Sequence, residues 1–292
     1  MRKITKANII LWLIFSLALS LNLFGQENPV LKKKDNKPEE VVTLRHNSKL
    51  LAREMPYRVI FPFSYRNKRE SGKRYAVLYL LHRLTGHFEN WTDKTKLAVY
   101  AGDFDYIIVT PEGANSWYVN WHDGASERWE DYIVRDLIAE IDARYRTDAR
   151  REARHIAGLS MGGYGALRIA LRHPHVYATA ASFSGALQAA RLDTYGWTEG
   201  LRAEFARAFG PAGGPHRAAN DLHALARTVN VLGLPSLYFD CGTSDPFLPA
   251  NRELAAILHD RKIPYEYREV PGAHNWPYWD RQIIELLRRL PS

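Results

Sequence analysis

The sequence predicts an α/β fold, with a mainly parallel central sheet and helices on both faces. Strand-length apolar runs alternate along the chain with segments whose apolar residues recur at helical spacing. Several of the runs are apolar at every position, as strands covered on both faces must be. The length agrees: 292 residues suit one large α/β domain or two small ones. A 46% hydrophobic and 25% charged composition is an ordinary globular balance, so a full core can form without crosslinks.

Taken in order, residues 41–44 and 57–61 read as two early strands that pair antiparallel. Residues 75–81 (YAVLYLL) form a buried parallel strand, and residues 105–110 (DYIIVT), stopped by Pro111, form another. Residues 129–145 place Tyr132, Ile133, Leu137, Ile138 and Ile141 along one helical face. A short strand at 154–159 runs into a helix at 162–171 that stops near Pro174. Strands follow at 178–183, 237–240 and 265–270, with a last helix at 277–290. Residues 187–232 break this rhythm. They are rich in Ala and Arg, with Gly210-Pro211 and Gly213-Gly214-Pro215 as breakers. They read as a helical insertion lying over the site, where it would shape the pocket.

Ahead of the domain at 41–292 stand two other segments. Arg2, Lys3 and Lys6 precede an uncharged apolar stretch at 9–19, and Ser16-Leu17-Ala18 and Ala18-Leu19-Ser20 offer small-x-small cleavage spacing. Residues 1–26 are therefore expected to be an export signal, or a membrane anchor if uncleaved. The polar residues 27–40, with Pro29 and Pro38, read as a linker. The chain is exported on this reading, to periplasm or medium, and meets a membrane only through an uncleaved N-terminus. The formal charge of +8 is spread among 32 acids and carries no zinc-finger spacing or RNP-type motif, so no nucleic-acid partner is expected. The single cysteine, Cys241, excludes an intramolecular disulfide and a cysteine-based zinc site. Nothing in the sequence bears on oligomeric state.

The chemistry gathers at four places. Gly158-Leu159-Ser160-Met161-Gly162 fits G-x-S-x-G between a predicted strand and a predicted helix, the setting in which the turn projects its serine at the sheet edge. Serine is a poor nucleophile at its free pKa and needs a base. Of the 11 histidines, His274 alone follows the last strand, where this arrangement puts the base; His155, His173 and His175 suit structural or surface positions. The base needs an acid to fix its tautomer and stabilise the imidazolium. Asp240 sits at a strand end and Asp245 in the loop beyond, from which a side chain can reach His274, so Asp245 is the expected acid. The order Ser, Asp, His is that of the α/β-hydrolase fold. Two backbone N–H groups should face a developing oxyanion: that of Met161, after the nucleophile, and that of Leu84, after the strand at 75–81.

Together these residues resemble the esterase D-like family of α/β-hydrolases, which includes tributyrin esterases, S-formylglutathione hydrolases, feruloyl and acetyl-xylan esterases, and mycolyltransferases. The resemblance runs over residues 41–290. It is carried by Tyr79-Leu80-Leu81-His82, Asn90-Trp91, the run Asn115-Ser116-Trp117-Tyr118-Val119-Asn120-Trp121, residues 158–166 around the serine, Asp245-Pro246-Phe247-Leu248, and Gly272-Ala273-His274. It implies Ser160, Asp245 and His274 as the triad and Leu84 and Met161 as oxyanion donors. It also implies that Trp117, Tyr118 and Asn120 border the pocket, against the plainer reading that these aromatics are packed. Arg83 stands where relatives usually carry glycine. Glycine serves positive φ or close approach, so Arg83 is expected either to strain the oxyanion loop or to bind an anionic group of the substrate.

The implied activity is that of a secreted serine carboxylesterase acting on short acyl esters, with no metal or cofactor and a small-molecule or carbohydrate ester as partner. The alternatives are deacylation of polysaccharide (feruloyl or acetyl groups), an S-formylglutathione hydrolase-like thioesterase, acyl transfer to a sugar, and an inactive fold used for binding.

Overall fold

The computed structural model describes residues 40–192, 194 and 196–291. The expected signal at 1–26, and all of the expected linker but Glu40, lie outside the described residues. Eight strands form one sheet in the order β1-β2-β4-β3-β5-β6-β7-β8. They are β1 (Val41–Ser48), β2 (Arg53–Ile60), β3 (Ala76–Leu81), β4 (Tyr106–Pro111), β5 (Arg154–Leu159), β6 (Thr179–Phe183), β7 (Ser236–Gly242) and β8 (Tyr265–Val270). The β1–β2 and β2–β4 pairs are antiparallel, and from β4 through β3 to β8 the strands run parallel. The chain passes from β3 out to β4 and then returns across β3 to β5. The C-terminal ends at such a reversal are where open α/β sheets form their sites.

Both faces of the sheet are covered, and strand alternation shows it. Val77, Tyr79, Leu81, Ile156 and Phe239 belong to one buried cluster. Their neighbours Leu78, Leu80, Ala157, Leu159 and Tyr238 belong to the other. On the first face lie α3 (Trp129–Asp131), continued by π-helical turns at Tyr132–Leu137 and by α4 (Ile138–Arg144), then α5 (Met161–Arg172) and α9 (Leu248–Asp260). On the second lie α1 (Asn90–Lys94), α2 (Leu97–Tyr100) and α10 (Trp276–Leu287).

Some elements depart from the sequence reading. Pro111 ends β4 from within, opposite Tyr57; a strand's terminal residue tolerates a missing donor. Helices α1, α2 and α9 had no counterpart in the reading. The first two are five and four residues long, too short for periodicity to register, and α9 opens on Leu248-Pro249, which reads locally as loop. The insertion is helical as expected, with α6 (Glu199–Phe209), α7 (Pro215–Ala219) and α8 (Leu222–Thr228). It flanks α5 and the loop after β4: the Tyr164 hydroxyl donates to Asn220 O at 2.6 Å, and Trp117 stacks on Trp197 with ring centres 6.3 Å apart.

Candidate active site

Ser160 occupies the turn between β5 and α5 with φ 54° and ψ −116°, a conformation that costs a non-glycine residue on the order of 1–3 kcal/mol. Packing imposes it. A methyl on Gly162 would come within 2.6 Å of the carbonyl oxygens of Leu81 and His82, and one on Gly158 would overlap the Gly162 backbone. Strand and helix can close around the serine only with glycine at both places. Backbone hydrogen bonds lock the turn: Ser160 N–H donates to Phe183 O, and Ala186 and Tyr164 N–H groups donate to Ser160 O, at 3.0–3.1 Å.

His274 lies in the loop after β8. The Ser160 hydroxyl faces its Nε2 at 3.0 Å, and its Nδ1–H donates to Asp245 Oδ2 at 2.8 Å. The imidazole is held edge-on between Phe247 and Trp279, with ring centres 5.0 and 4.9 Å away. Asp245 Oδ1 accepts the Phe247 N–H at 2.9 Å. Burial alone would raise the Asp245 carboxyl; hydrogen bonds from His274 and from the Phe247 amide outweigh it and hold the group below its ordinary value. It therefore stays ionised beside the histidine. Asp240 is placed quite differently. It is fully buried, its oxygens accept the hydroxyls of Tyr278 (2.7 Å) and Tyr238 (2.9 Å), and burial pushes its carboxyl up to about 7. The structure thus joins Asp245, not Asp240, to the histidine. His155 is buried edge-on against Tyr106, and burial pushes it down to about 4, which keeps it neutral.

Met161 is the first residue of α5, so its N–H is one of the helix's free N-terminal donors. Leu84 lies half-buried in the turn after β3. Among the described residues, no acceptor engages the N–H of either Leu84 or Met161. Side chains hold the Leu84 loop. The buried His82 Nδ1–H donates to Arg83 O at 2.8 Å, while its Nε2 accepts the Gly113 N–H at 2.9 Å. The Tyr118 hydroxyl accepts the His82 N–H at 3.0 Å and donates to His82 O at 3.2 Å. Asn115 Oδ1 accepts the Thr85 N–H at 2.7 Å, and Asn115 Nδ2 reaches Glu204 of α6 at 2.8 Å.

One expectation needs correction here, and one left open is narrowed. The backbone strain foreseen at Arg83 lies at Thr85, which has φ 58°; Arg83 is not among the positive-φ residues. The Arg83 guanidinium instead bonds its own turn, to Leu84 O and Thr85 Oγ1 at 3.1 and 3.2 Å. Trp117 and Tyr118 are core residues, 2% and 0% exposed, so the packed reading describes them. Tyr118 acts on the site through its hydroxyl, and Asn120 Oδ1 accepts the Asp131 N–H at 3.2 Å. Sequence reasoning missed Asn115 as a support, since no local pattern announces a bond spanning 30 residues. A cavity of about 470 Å³ borders the same loop, lined among others by His87, Asn115, Trp121, Trp129 and Glu204.

The chain is similar to known proteins over most of its length. Residues 48–290 match the Esterase family model, described as "Putative esterase". An acetyl esterase from Caldicellulosiruptor saccharolyticus is 24% identical over 83% of this chain and 95% of its own length. Esterase Rv1288 from Mycobacterium tuberculosis is 31% identical over 74% of this chain, which spans only about half (51%) of that relative's length. The substrate-bound fluorophosphonate-binding serine hydrolase F of Staphylococcus aureus superposes with a TM-score of 0.76 at 25% identity, covering 87% of this chain and 99% of that one. The chain belongs to the Esterase family and has the α/β-hydrolase fold of a carboxylic ester hydrolase of the serine hydrolase class.

Proposed function

We propose that this member of the Esterase family is an exported carboxylesterase that cleaves short acyl esters through an acyl-enzyme on Ser160. The observation that carries the reading is the unbroken chain from Ser160 Oγ to His274 Nε2 and from His274 Nδ1 to Asp245 Oδ2, at 3.0 and 2.8 Å. His274 takes the serine proton as Ser160 Oγ attacks the ester carbonyl, then gives it to the departing alcohol. The same imidazole next takes a proton from water as the water attacks the acyl carbon, then returns it to Ser160 Oγ as the acyl–oxygen bond breaks and the carboxylic acid leaves. Asp245 stabilises the imidazolium formed in each half-reaction. The N–H groups of Leu84 and Met161 receive the oxyanion in both. Short acyl groups are favoured by the likeness to an acetyl esterase. Export rests on the basic residues and uncharged stretch at the start of the chain.

The test is a nitrophenyl ester series from acetate to decanoate, run beside fluorophosphonate labelling of wild type and Ser160→Ala. Labelling at Ser160 and fastest turnover at acetate to butyrate are expected. Preference for chains of about ten carbons would overturn the short-acyl assignment, since each buried CH₂ can add roughly 0.8 kcal/mol in a deep apolar channel. N-terminal sequencing of protein from medium or periplasm tests export, and an intact Met1 in the cytoplasmic fraction would refute it.

A further inference from the structure

Asp240 takes no part in the hydrogen-bonded chain just described, yet it is a fully buried carboxyl in a mainly apolar layer. Such a group is costly to bury unless its oxygens are bonded, so what it holds matters. Its hydrogen-bond partners among the described residues are two tyrosine hydroxyls. Tyr238 sits two residues earlier on β7, with its ring against Arg289. Tyr278 sits on α10, four residues after His274.

Tyr278 grips the His274 loop at both ends. Its ring packs so closely on Gly272 that a methyl there would overlap it. Its N–H donates to Asn275 Oδ1 at 3.1 Å, and Asn275 N–H in turn donates to Ala273 O at 2.8 Å. The same loop is tied to the acid's loop by Ser244 N–H donating to Gly272 O at 2.9 Å. The segment from Gly272 to Asn275 is therefore held by one residue, through its ring at Gly272 and its main-chain N–H at Asn275, and the hydroxyl of that ring is anchored on Asp240 at 2.7 Å.

We propose that Asp240 is a positioning residue for His274, acting through the Tyr278 hydroxyl to set the depth of the ring against which the His274 loop rests. This rests on the reading of His274 as the base. Releasing the hydroxyl lets Tyr278 and the Gly272 turn shift together, and the imidazole loses its alignment with Ser160 Oγ while the pocket that binds the ester is untouched. The burial that raises the Asp240 carboxyl fits a group kept for its geometry at a cost in solvation.

The experiment compares Tyr278→Phe, Tyr238→Phe and Asp240→Asn in the full chain. It measures kcat and KM on nitrophenyl acetate and the downfield proton resonance of the His274 Nδ1–H bonded to Asp245. Tyr278→Phe keeps the ring and loses only the hydroxyl. It should lower kcat roughly 10- to 100-fold, the scale of an ångström-level misplacement, leave KM nearly unchanged, and shift or broaden the downfield resonance. Tyr238→Phe removes the other donor to the same carboxyl and should stay close to wild type in both readouts. Equal losses in the two Phe variants would overturn the proposal, because the carboxyl would then merely need partners. Wild-type kcat with an unmoved resonance in Tyr278→Phe would overturn it as well. Should Asp240→Asn fail to fold, the two Phe variants still decide. His274→Ala is measured separately: retained turnover there would refute the base assignment itself, whatever Tyr278→Phe shows.

Discussion

Ser160 stands on backbone. Its turn is wedged against the carbonyls of Leu81 and His82 at distances where one methyl on Gly162 would not fit, and three main-chain hydrogen bonds close it. The loop carrying Leu84 stands on side chains: His82, Tyr118 and Asn115 each supply bonds to its main chain. A backbone wedge either fits or fails, whereas side-chain ties can be loosened one at a time. Changes on the Ser160 side should therefore be large and abrupt, and changes on the Leu84 side graded.

The sharpest form of the comparison is Ser160→Ala, expected to lower kcat by about 10⁶-fold, as for other triad serines, with the melting temperature essentially unchanged. Retention of a tenth of the wild-type rate would remove Ser160 from the chemistry. Asp245→Asn should cost roughly 10⁴-fold, because an amide favours the wrong imidazole tautomer. Asp240→Asn should cost far less, and the reverse ranking in steady-state kinetics would mean that the acid is misassigned.

Asp240 has a signature of its own in stability. Its folded-state pKa is raised to about 7 by burial, against the bonds from Tyr278 and Tyr238 and the weaker pull of Arg289 and Arg268. The unfolded chain ionises first, so wild type loses stability as pH rises from about 4 to about 7. Asp240→Asn lacks this loss. Urea unfolding at both ends of the window should move in the variant's favour by roughly 2–4 kcal/mol, and parallel pH profiles for the two proteins would show that Asp240 ionises normally.

On the side-chain-held loop, Tyr118→Phe strips the His82 N–H and carbonyl of one shared partner. It should reduce kcat about 10-fold with KM unchanged, less than the roughly 10²–10³-fold loss of an entire oxyanion donor. A loss as large as that of Asp245→Asn would erase the contrast between the two sides. Smallest is Arg83→Gly. Arg83 has no positive φ to relieve, so kcat on a small neutral ester should stay within a few-fold of wild type. A clear gain would place strain at Arg83 after all.

Much of the site was legible in the sequence because its signals are local. Apolar runs with period-two and 3.6-residue patterns mark strands and helices, and the G-x-S-x-G turn lies between two of them. The positions of His274 and Asp245 follow from which strand each one trails. The other outcomes depend on bonds that join distant segments. Asp240 and Asp245 are five residues apart with the same side chain. Only the fold sends one into a buried pair of tyrosines and the other to an imidazole 29 residues on. Trp117 and Tyr118 could line a pocket or fill a core, and the insertion's Trp197, Phe205 and Phe209 decide for the core at Trp117. The strained backbone of the Leu84 loop falls at Thr85 rather than Arg83, and the Thr85 N–H is held by Asn115, 30 residues away. Local periodicity records which face of an element is apolar; it carries no record of which polar atom across the sheet will be there to meet it.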